Sequence, residues 1–144
     1  MIVRNVGPDD IHTVIELEYQ NFDYPYPPET INFLYESHRD TFLVAEKDGD
    51  VIGFVIGMVQ KREGHVLVIA IRDDYKKKGI GTFLMKKLID VYKKKGITRL
   101  KLEVRVSNVA ALSMYRNLGF KITNRLKHYY ENGEDGFLLR RENP

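Results

Sequence analysis

The stretch between residues 64 and 106 limits the possible folds more than any other part of the chain. Its first eight residues, GHVLVIAI, are apolar at nearly every position, which predicts a strand buried on both faces of a sheet. A basic turn with two glycines comes next, followed by a helical pattern to about Lys95 and a second strand in GITRLKLEVRV. A strand, a helix and a strand in this order predict a right-handed crossover between two parallel strands.

The remaining patterns complete an α/β fold. Their order is β-α-α-β-β-β-α-β-α-β-β, with an Asp-Gly turn expected at residues 48–49 and an Asn-Gly turn at 132–133. We therefore predict a single domain, residues 1–144, in which helices flank a central mixed sheet of mostly antiparallel strands. The first helix is expected to bury an apolar face, interrupted only by Glu18, that contains Ile11, Val14, Ile15, Tyr19 and Phe22.

The composition argues against several classes of protein. There is no cysteine, so a disulfide framework, a zinc ribbon and a thiol nucleophile are ruled out, and the four histidines show no metal-ligand spacing. No signal-peptide pattern is present and no apolar run reaches about 18 residues, so we expect a cytoplasmic protein without membrane contact. The net charge of +3 is too small to indicate nucleic-acid binding by itself, although lysines cluster at 76–78, 86–87 and 93–95.

The turn KKKGIG, residues 76–81, has features of an anion-binding site. Unpaired backbone N–H groups at a helix N-terminus attract anions, and Gly79 and Gly81 leave room for a close approach. A nucleotide-hydrolysing P-loop needs Gly-Lys-Ser/Thr at the helix start, which this turn does not supply. A dinucleotide site needs a third glycine where the chain has Leu84, and its acidic partner would be Glu103, inside a strand pattern. A tight turn with solvated lysines is the remaining alternative.

The turn and two downstream motifs resemble the GNAT superfamily of acetyl-CoA-dependent N-acetyltransferases. The family's pyrophosphate loop reads Gln/Arg-x-x-Gly-x-Gly/Ala, and Lys76 replaces the Gln or Arg while keeping a donor and a positive charge. The motifs LEVRVSNVAALSMYRNLGF and YYENGEDGFLL are similar to the protein N-terminal acetyltransferase branch. That branch includes the bacterial enzyme for the N-terminal alanine of a small-subunit ribosomal protein, and archaeal and eukaryotic catalytic subunits. The similarity extends over roughly residues 2 to 141 and implies the GNAT fold.

The resemblance implies acetyl-CoA as co-substrate and no metal. The backbone of the apolar strand would bind the pantetheine arm, although its side chains by themselves indicate only core packing. The turn would bind the pyrophosphate, and Asn108, a helix cap by position, would add a side-chain contact. The implied cofactor-binding residues are Ile69, Ala70, Ile71, Lys76, Lys77, Lys78, Gly79, Ile80, Gly81 and Asn108.

Two residues are candidates for catalysis. Strand alternation places Glu103 on a polar face with Lys101 and Arg105, which is typical of an exposed charged edge. The resemblance instead implies that Glu103 is the general base for the acceptor amine. Tyr115 lies beside the apolar face of its helix and suits packing, whereas the resemblance implies that its hydroxyl protonates the thiolate of coenzyme A.

Two aromatic segments, FDYPYPP and HYYENGED, suit an acceptor site. Rigid aromatic and proline residues can hold the first residues of an extended peptide, and can equally close the core near the end of the sheet. Tyr129 and Tyr130 match a tyrosine pair that lines the peptide site in the family. Phe22 and Tyr26 are candidates from their loop position alone.

These observations favour direct acetyl transfer to a protein N-terminal α-amine in a ternary complex, and the absence of cysteine agrees with direct attack. A ribosomal protein is one candidate acceptor, and no direct contact with nucleic acid is expected. Three alternatives stay open at this point. The chain could acetylate a small amine such as a polyamine, bind nucleic acid through its lysine clusters, or bind acetyl-CoA without catalysis.

Overall fold

The predicted order of elements is confirmed in the computed structural model, which describes residues 1–142. Within this range, no helix has the length and apolar character needed to cross a membrane. The strands and α-helices are, in chain order, β1 (Ile2–Asn5), α1 (Ile11–Asn21), α2 (Pro28–Ser37), β2 (Phe42–Lys47), β3 (Asp50–Gln60), β4 (Glu63–Ile71), α3 (Ile80–Lys94), β5 (Arg99–Arg105), α4 (Val109–Asn117), β6 (Lys121–Leu126) and β7 (Gly136–Glu142).

The strands form one mixed sheet in the order β1-β2-β3-β4-β5-β7-β6. Neighbouring strands are antiparallel except for β4 and β5, which are parallel and joined by α3 as the predicted crossover. Asp48 and Gly49 form the turn between β2 and β3, with φ angles of 52° and 83°. Positive φ at both positions matches the twist of the flanking strands, as the Asp-Gly pair predicts.

Helices cover both faces of the sheet. Alternate residues of β2 and β3 enter two separate hydrophobic layers, because successive side chains of a strand point to opposite faces. Leu43 and Val55 pack with residues of α3, whereas Phe42 and Phe54 pack with residues of α1 and α2. The two-sided burial explains why β2 and β3 are apolar along most of their length.

Tyr92 on α3 fixes the region where β3 and β4 are irregular. Its buried hydroxyl lies 3.0 Å from the carbonyl oxygen of Met58 and 3.3 Å from that of His65. Gly57, at a register shift between the two strands, leaves the space for this hydroxyl. A Cβ at Gly57 would lie 2.2 Å from Tyr92 Oη, and one at Gly64 would lie 2.9 Å from the tyrosine ring. Two glycines therefore allow a core tyrosine to hold the backbone of β4.

The predicted buried face of α1 was partly wrong. Val14, Leu17 and Glu18 are the buried residues of this helix, and Tyr19 is 76% exposed. The same helical period accommodates either stripe of residues. Burial of Glu18 is possible because its carboxylate accepts a backbone hydrogen bond from the loop that follows α1.

The connection between β6 and β7 also differs from the expected Asn-Gly turn. It extends from residue 127 to residue 135, and side chains within it replace strand pairing. Asp135 accepts a hydrogen bond from the His128 N–H, and Glu134 accepts one from the Ser107 N–H. These carboxylates stabilise a loop that is longer than a tight turn, because they accept hydrogen bonds from backbone N–H groups that have no strand partner.

Candidate active site

The parallel strands β4 and β5 separate soon after they meet. Their pairing extends only from residues 63–65 of β4 to residues 99–101 of β5, although both strands continue beyond these pairs. On its other edge β4 stays paired with β3 to its end, where Ile69 faces Val55 and Ile71 faces Gly53. The β5-facing edge of β4 therefore leaves backbone N–H and C=O groups available to an extended ligand, in the manner of an added strand.

The predicted anion turn lies at the end of this opened edge. Lys77 and Gly79 both adopt positive φ angles, 61° and 81°, and Gly79 is the N-cap of α3. This backbone directs N–H groups outward at the positive end of the helix dipole. Gly81 has another role, because a Cβ there would lie 3.3 Å from Met114 Sδ of α4. Gly79 therefore serves the backbone conformation, and Gly81 the close packing of α3 against α4.

The lysines of the turn are at the surface. Lys76 Nζ lies 2.8 Å from Asp73 Oδ1, and Lys78 Nζ lies 5.3 Å from the centre of the Tyr75 ring. An exposed ion pair of this kind contributes at most about 1 kcal/mol, so Lys76 can exchange Asp73 for a phosphate at little cost. Three cationic side chains thus surround a turn whose backbone already favours an anion.

Glu103 and His65 meet where β4 and β5 separate. His65 Nε2 lies 2.7 Å from Glu103 Oε1 and 3.1 Å from Oε2, and both side chains are nearly buried, with 19% and 17% of their surface exposed. When Glu103 is ionised, Nε2 donates to the carboxylate and the neutral ring keeps Nδ1 as an acceptor. Strand alternation correctly placed Glu103 opposite the buried face of β5, but its surroundings are a cleft and not an open edge.

His65 is the contact of Glu103 that sequence reasoning missed. The only signal was a single imidazole in the otherwise apolar segment 64–71. Its contact with Glu103 depends on the strand register, because Lys101 is the residue that pairs directly with His65. A residue two positions further along β5 returns to the same face and lies diagonally across from His65.

Tyr115 of α4 is buried within electrostatic range of Tyr130. Only 5% of the residue is exposed, and its ring packs edge-on against Phe120 with centroids 5.8 Å apart. Burial raises the pKa of the Tyr115 hydroxyl, so it stays protonated at neutral pH. A raised pKa also makes this hydroxyl a weaker acid, so it can give up its proton only to a strong base such as a leaving thiolate.

Three of the four predicted acceptor residues lie within electrostatic range of Glu103. The pKa of Tyr26 is raised first by burial and then by the charges of Glu18 and Glu103, and that of Tyr129 by burial and then by Glu103. Burial, chiefly, raises the pKa of Tyr130 to about 12, and its ring stands perpendicular to that of Tyr129 at 5.0 Å. The charge of one carboxylate therefore acts on tyrosines from two loops.

Phe22 and Asn108 have different surroundings. Phe22 follows the last residue of α1 at the start of the aromatic loop, is partly exposed, and has no described ring contact with the three tyrosines in residues 1–142. Asn108 caps α4, since its Oδ1 accepts a hydrogen bond from the Ala111 N–H at 3.2 Å. The helix-cap role expected for Asn108 is confirmed.

Residues of the YYENGED segment and Arg105 hold Tyr130 in place. The Arg105 guanidinium lies over the Tyr130 ring, 4.1 Å from its centre, and donates hydrogen bonds to Asn132 and Glu134. The Tyr130 N–H in turn bonds to the carbonyl oxygen of Glu134 at 3.1 Å. A Cβ at Gly136 would lie 3.0 Å from the Tyr130 ring, so an alanine there would require the ring to shift by a few tenths of an ångström.

Known proteins share this architecture. Residues 11–120 match the acetyltransferase (GNAT) family. The chain belongs to this family. An N-alpha-acetyltransferase from Sulfurisphaera tokodaii is a GNAT relative that is 33% identical over 150 residues, which cover 95% of this chain and 90% of the relative.

Two solved structures of acetyltransferases are similar to this chain over almost its whole length. Ard1 from Thermoplasma volcanium has a TM-score of 0.95 at 26% identity, covering 99% of this chain and 97% of that one. The ribosomal-protein-S18-alanine N-acetyltransferase from Escherichia coli has a TM-score of 0.89 at 28% identity, covering 98% and 92%. The expected GNAT fold and its N-terminal acetyltransferase resemblance are confirmed.

As a GNAT acetyltransferase the chain uses acetyl-CoA, and the site fits this group. The opened edge of β4 suits the amide-containing pantetheine arm, and the positive-φ turn with its lysines suits the pyrophosphate. In the part of the chain that is described, no three side chains of His, Asp or Glu are grouped to hold a metal ion.

Proposed function

We propose that this GNAT enzyme acetylates the N-terminal α-amine of proteins. The observation that carries the proposal is the position of Glu103, which contacts His65 where the cofactor edge of β4 opens and lies within electrostatic range of tyrosines from two separate loops. An amine held by the tyrosine loops would thus meet a carboxylate beside the acetyl donor. The N-alpha-acetyltransferase relative and the ribosomal-protein acetyltransferase structure support this acceptor class.

In this proposal Glu103 accepts a proton from the amine. An α-amine has a pKa of about 8, so at neutral pH it arrives mostly protonated and needs only a modest base. Two oxygens of a carboxylate offer about four acceptor positions, and the His65 N–H leaves room for the amine. His65 orients the carboxylate. Glu103 takes the proton from the amine either directly or through one water molecule.

Tyr115 has the complementary role of proton donor. Bound acetyl-CoA would supply the thioester. The neutral amine nitrogen would bond to the acetyl carbon, the carbon–sulfur bond would break with the sulfur leaving as a thiolate, and the second proton of the nitrogen would pass to solvent as the amide forms. Tyr115 is protonated at neutral pH and would donate its phenolic proton to that thiolate. The backbone edge of Ile69, Ala70 and Ile71 would hold the pantetheine arm, and residues 76–81 with Asn108 would hold the phosphate-bearing end.

The acceptor site of the proposal consists of Tyr26, Tyr129 and Tyr130, with Phe22 at its rim. We propose a protein N-terminus as the partner, with a ribosomal protein as one candidate, and a cytoplasmic place of action. The domain that carries out the reaction would be residues 1–144 as a whole.

The test is an acetyl-transfer assay with short peptides beginning Ala, Ser, Met-Leu or Met-Glu, compared with a polyamine. We expect at least one peptide to be acetylated in preference to the polyamine. Glu103→Gln and Tyr115→Phe should each lower kcat by about a hundredfold, the usual scale for general acid–base groups, with acetyl-CoA binding retained. Exposed Glu36→Gln and Tyr19→Phe serve as controls. Preference for the polyamine, or near-normal turnover in both site variants, would refute the proposal.

A further inference from the structure

Glu18 is an anomaly in the packing of α1. The residue is only 3% exposed, and its Oε2 accepts a hydrogen bond from the Tyr26 N–H at 2.9 Å. Its Oε1 is buried and has no hydrogen-bond partner, and among residues 1–142 it is the one buried side-chain nitrogen or oxygen atom in this position. A carboxyl group with half of its acceptors unused is costly in an interior, where an apolar side chain would pack at no such cost.

The surroundings of Glu18 are apolar. Its neighbours on the buried face of α1, Val14 and Leu17, belong to the hydrophobic layer beneath α1 and α2. Burial raises the pKa of the Glu18 carboxyl, and the Tyr26 N–H acts in the opposite direction. The hydrogen bond from the Tyr26 N–H is therefore the contact that offsets part of the cost of burying this carboxyl.

That hydrogen bond joins α1 to the aromatic loop. Residues 22–27 connect α1 to α2, and Pro25 and Pro27 flank Tyr26 and lack N–H groups of their own. The Tyr26 N–H is therefore the one backbone donor in segment 25–27, and Glu18 uses it. The phenol of the same residue is half-buried and close enough to Glu103 and Tyr129 for their charges to raise its pKa, after burial and Glu18 itself.

We propose that Glu18 is a positioning residue of the acceptor site. It anchors the backbone of Tyr26 so that the side chain of Tyr26 is presented to the acceptor beside Glu103. Glu18 acts through Tyr26 and does not touch the reacting atoms. This inference rests on the proposed acceptor site, and it predicts an effect on peptide binding that is separate from the effect on acetyl-CoA.

The experiment compares Glu18→Ala and Glu18→Gln in steady-state kinetics with the preferred peptide. Loss of one buried hydrogen bond corresponds to a change of about tenfold, so Glu18→Ala should raise the peptide KM by about that factor. The acetyl-CoA KM should change less than about twofold. Glu18→Gln keeps a carbonyl oxygen for the Tyr26 N–H and should restore most of the peptide affinity. Glu16→Ala, an exposed glutamate of the same helix, is the matched control.

Hydrogen exchange at the Tyr26 amide tests the anchor without any variant. In the wild-type protein this amide should exchange much more slowly than the exposed amides of the same loop. Two results would overturn the inference: a rapidly exchanging Tyr26 amide, or a Glu18→Ala enzyme whose peptide KM is unchanged or rises together with its acetyl-CoA KM. Failure of the proposed function looks different, because the wild-type enzyme would then acetylate none of the peptides.

Discussion

His65 Nε2 and Glu103 Oε1 lie 2.7 Å apart where the pairing of two parallel strands ends. His65 is in the last pair, and Glu103 lies two positions beyond Lys101, the pairing partner of His65. Beyond this point β4 and β5 diverge, so the pair stands at the apex of the opening that suits the cofactor. Neither side chain belongs to a local motif that contains the other, since 38 positions separate them. The base of the proposed reaction is thus positioned by His65 on the neighbouring strand β4, which α3 connects to β5.

Removal of the His65 side chain should reduce the contribution of Glu103 to kcat without abolishing it. His65→Ala leaves the carboxylate in place but unoriented, and we expect kcat with the peptide to fall about tenfold, less than the loss for the base itself. His65→Gln, which can still donate to the carboxylate, should recover part of this loss. The measurement is peptide kcat and acetyl-CoA KM, and exposed His12→Ala is the control. Full activity in His65→Ala would show that Glu103 needs no such partner.

The positive φ of Gly79 should matter for the cofactor. Alanine is strained there, and Gly79→Ala is expected to lower the free energy of unfolding by about 1 kcal/mol and to weaken acetyl-CoA binding about tenfold. Gly49→Ala is an unusually close control, because Gly49 has a φ of 83° against 81° for Gly79 and neither would meet a neighbour within 4 Å. Calorimetric titration with acetyl-CoA should separate them. Equal affinities in the two variants would contradict the assigned role of the turn.

Gly57 and Tyr92 should be energetically coupled. An alanine Cβ at position 57 would lie 2.2 Å from Tyr92 Oη, so Gly57→Ala alone is expected to cost about 1–3 kcal/mol of unfolding free energy. Tyr92→Phe removes the clashing oxygen, so the double variant should be more stable than the sum of the two single changes predicts. Urea unfolding of the four proteins in the cycle provides the values. Simple additivity would mean that the hydroxyl does not occupy the space beside Gly57.

Asp10 should contribute to stability in a pH-dependent way. The hydrogen bonds from Arg4, the nearer at 2.7 Å, lower the pKa of this carboxyl below its unfolded value of about 3.9. The folded state therefore holds its proton less tightly, and the stabilisation is present above pH 4 and lost as the pH falls through the lower folded pKa. Asp10→Asn should cost about 1 kcal/mol at pH 7, a modest value because the Arg4 side chain is 35% exposed.

The matched control for Asp10 is Asp9→Asn, an exposed carboxyl in the same turn. Urea unfolding between pH 3 and pH 7 should show the gap between wild type and Asp10→Asn closing at the acidic end, with no such trend for Asp9→Asn. A gap that is constant over this range would assign the stability of Asp10 to something other than its charge.

Several features of the fold and site followed from local patterns. The order of elements, the parallel crossover, the turn at residues 48–49 and the polar face of β5 all depend on backbone preferences and on periods of two or 3.6 residues. The anion turn could be predicted for the same reason, because glycines next to a helix N-terminus permit positive φ and leave space for a ligand within a few residues. The identities of Glu103 and Tyr115 as candidates came from motif resemblance and not from periodicity.

Other features required the whole structure. The α1 stripe and the long β6–β7 loop differ from expectation because each depends on a carboxylate that satisfies a distant backbone group, Glu18 in one case and Glu134 in the other. Phe22 and Tyr26 looked alike in the aromatic loop, yet Phe22 is 37% exposed whereas Tyr26 is half-buried within electrostatic range of Glu103. Such pairings depend on which surfaces pack together, and no local pattern contains that information.

The sequence by itself therefore determined the elements, their order, the crossover and the family motifs, since these are written in nearby residues. Tertiary structure alone decided that His65 contacts Glu103, that the charge of Glu103 acts on tyrosines from two loops, and that Glu18 is buried with one oxygen unpaired. The physical reason is register. A strand's own pattern states which side chains share a face, but only the pairing with another strand states which of them touch.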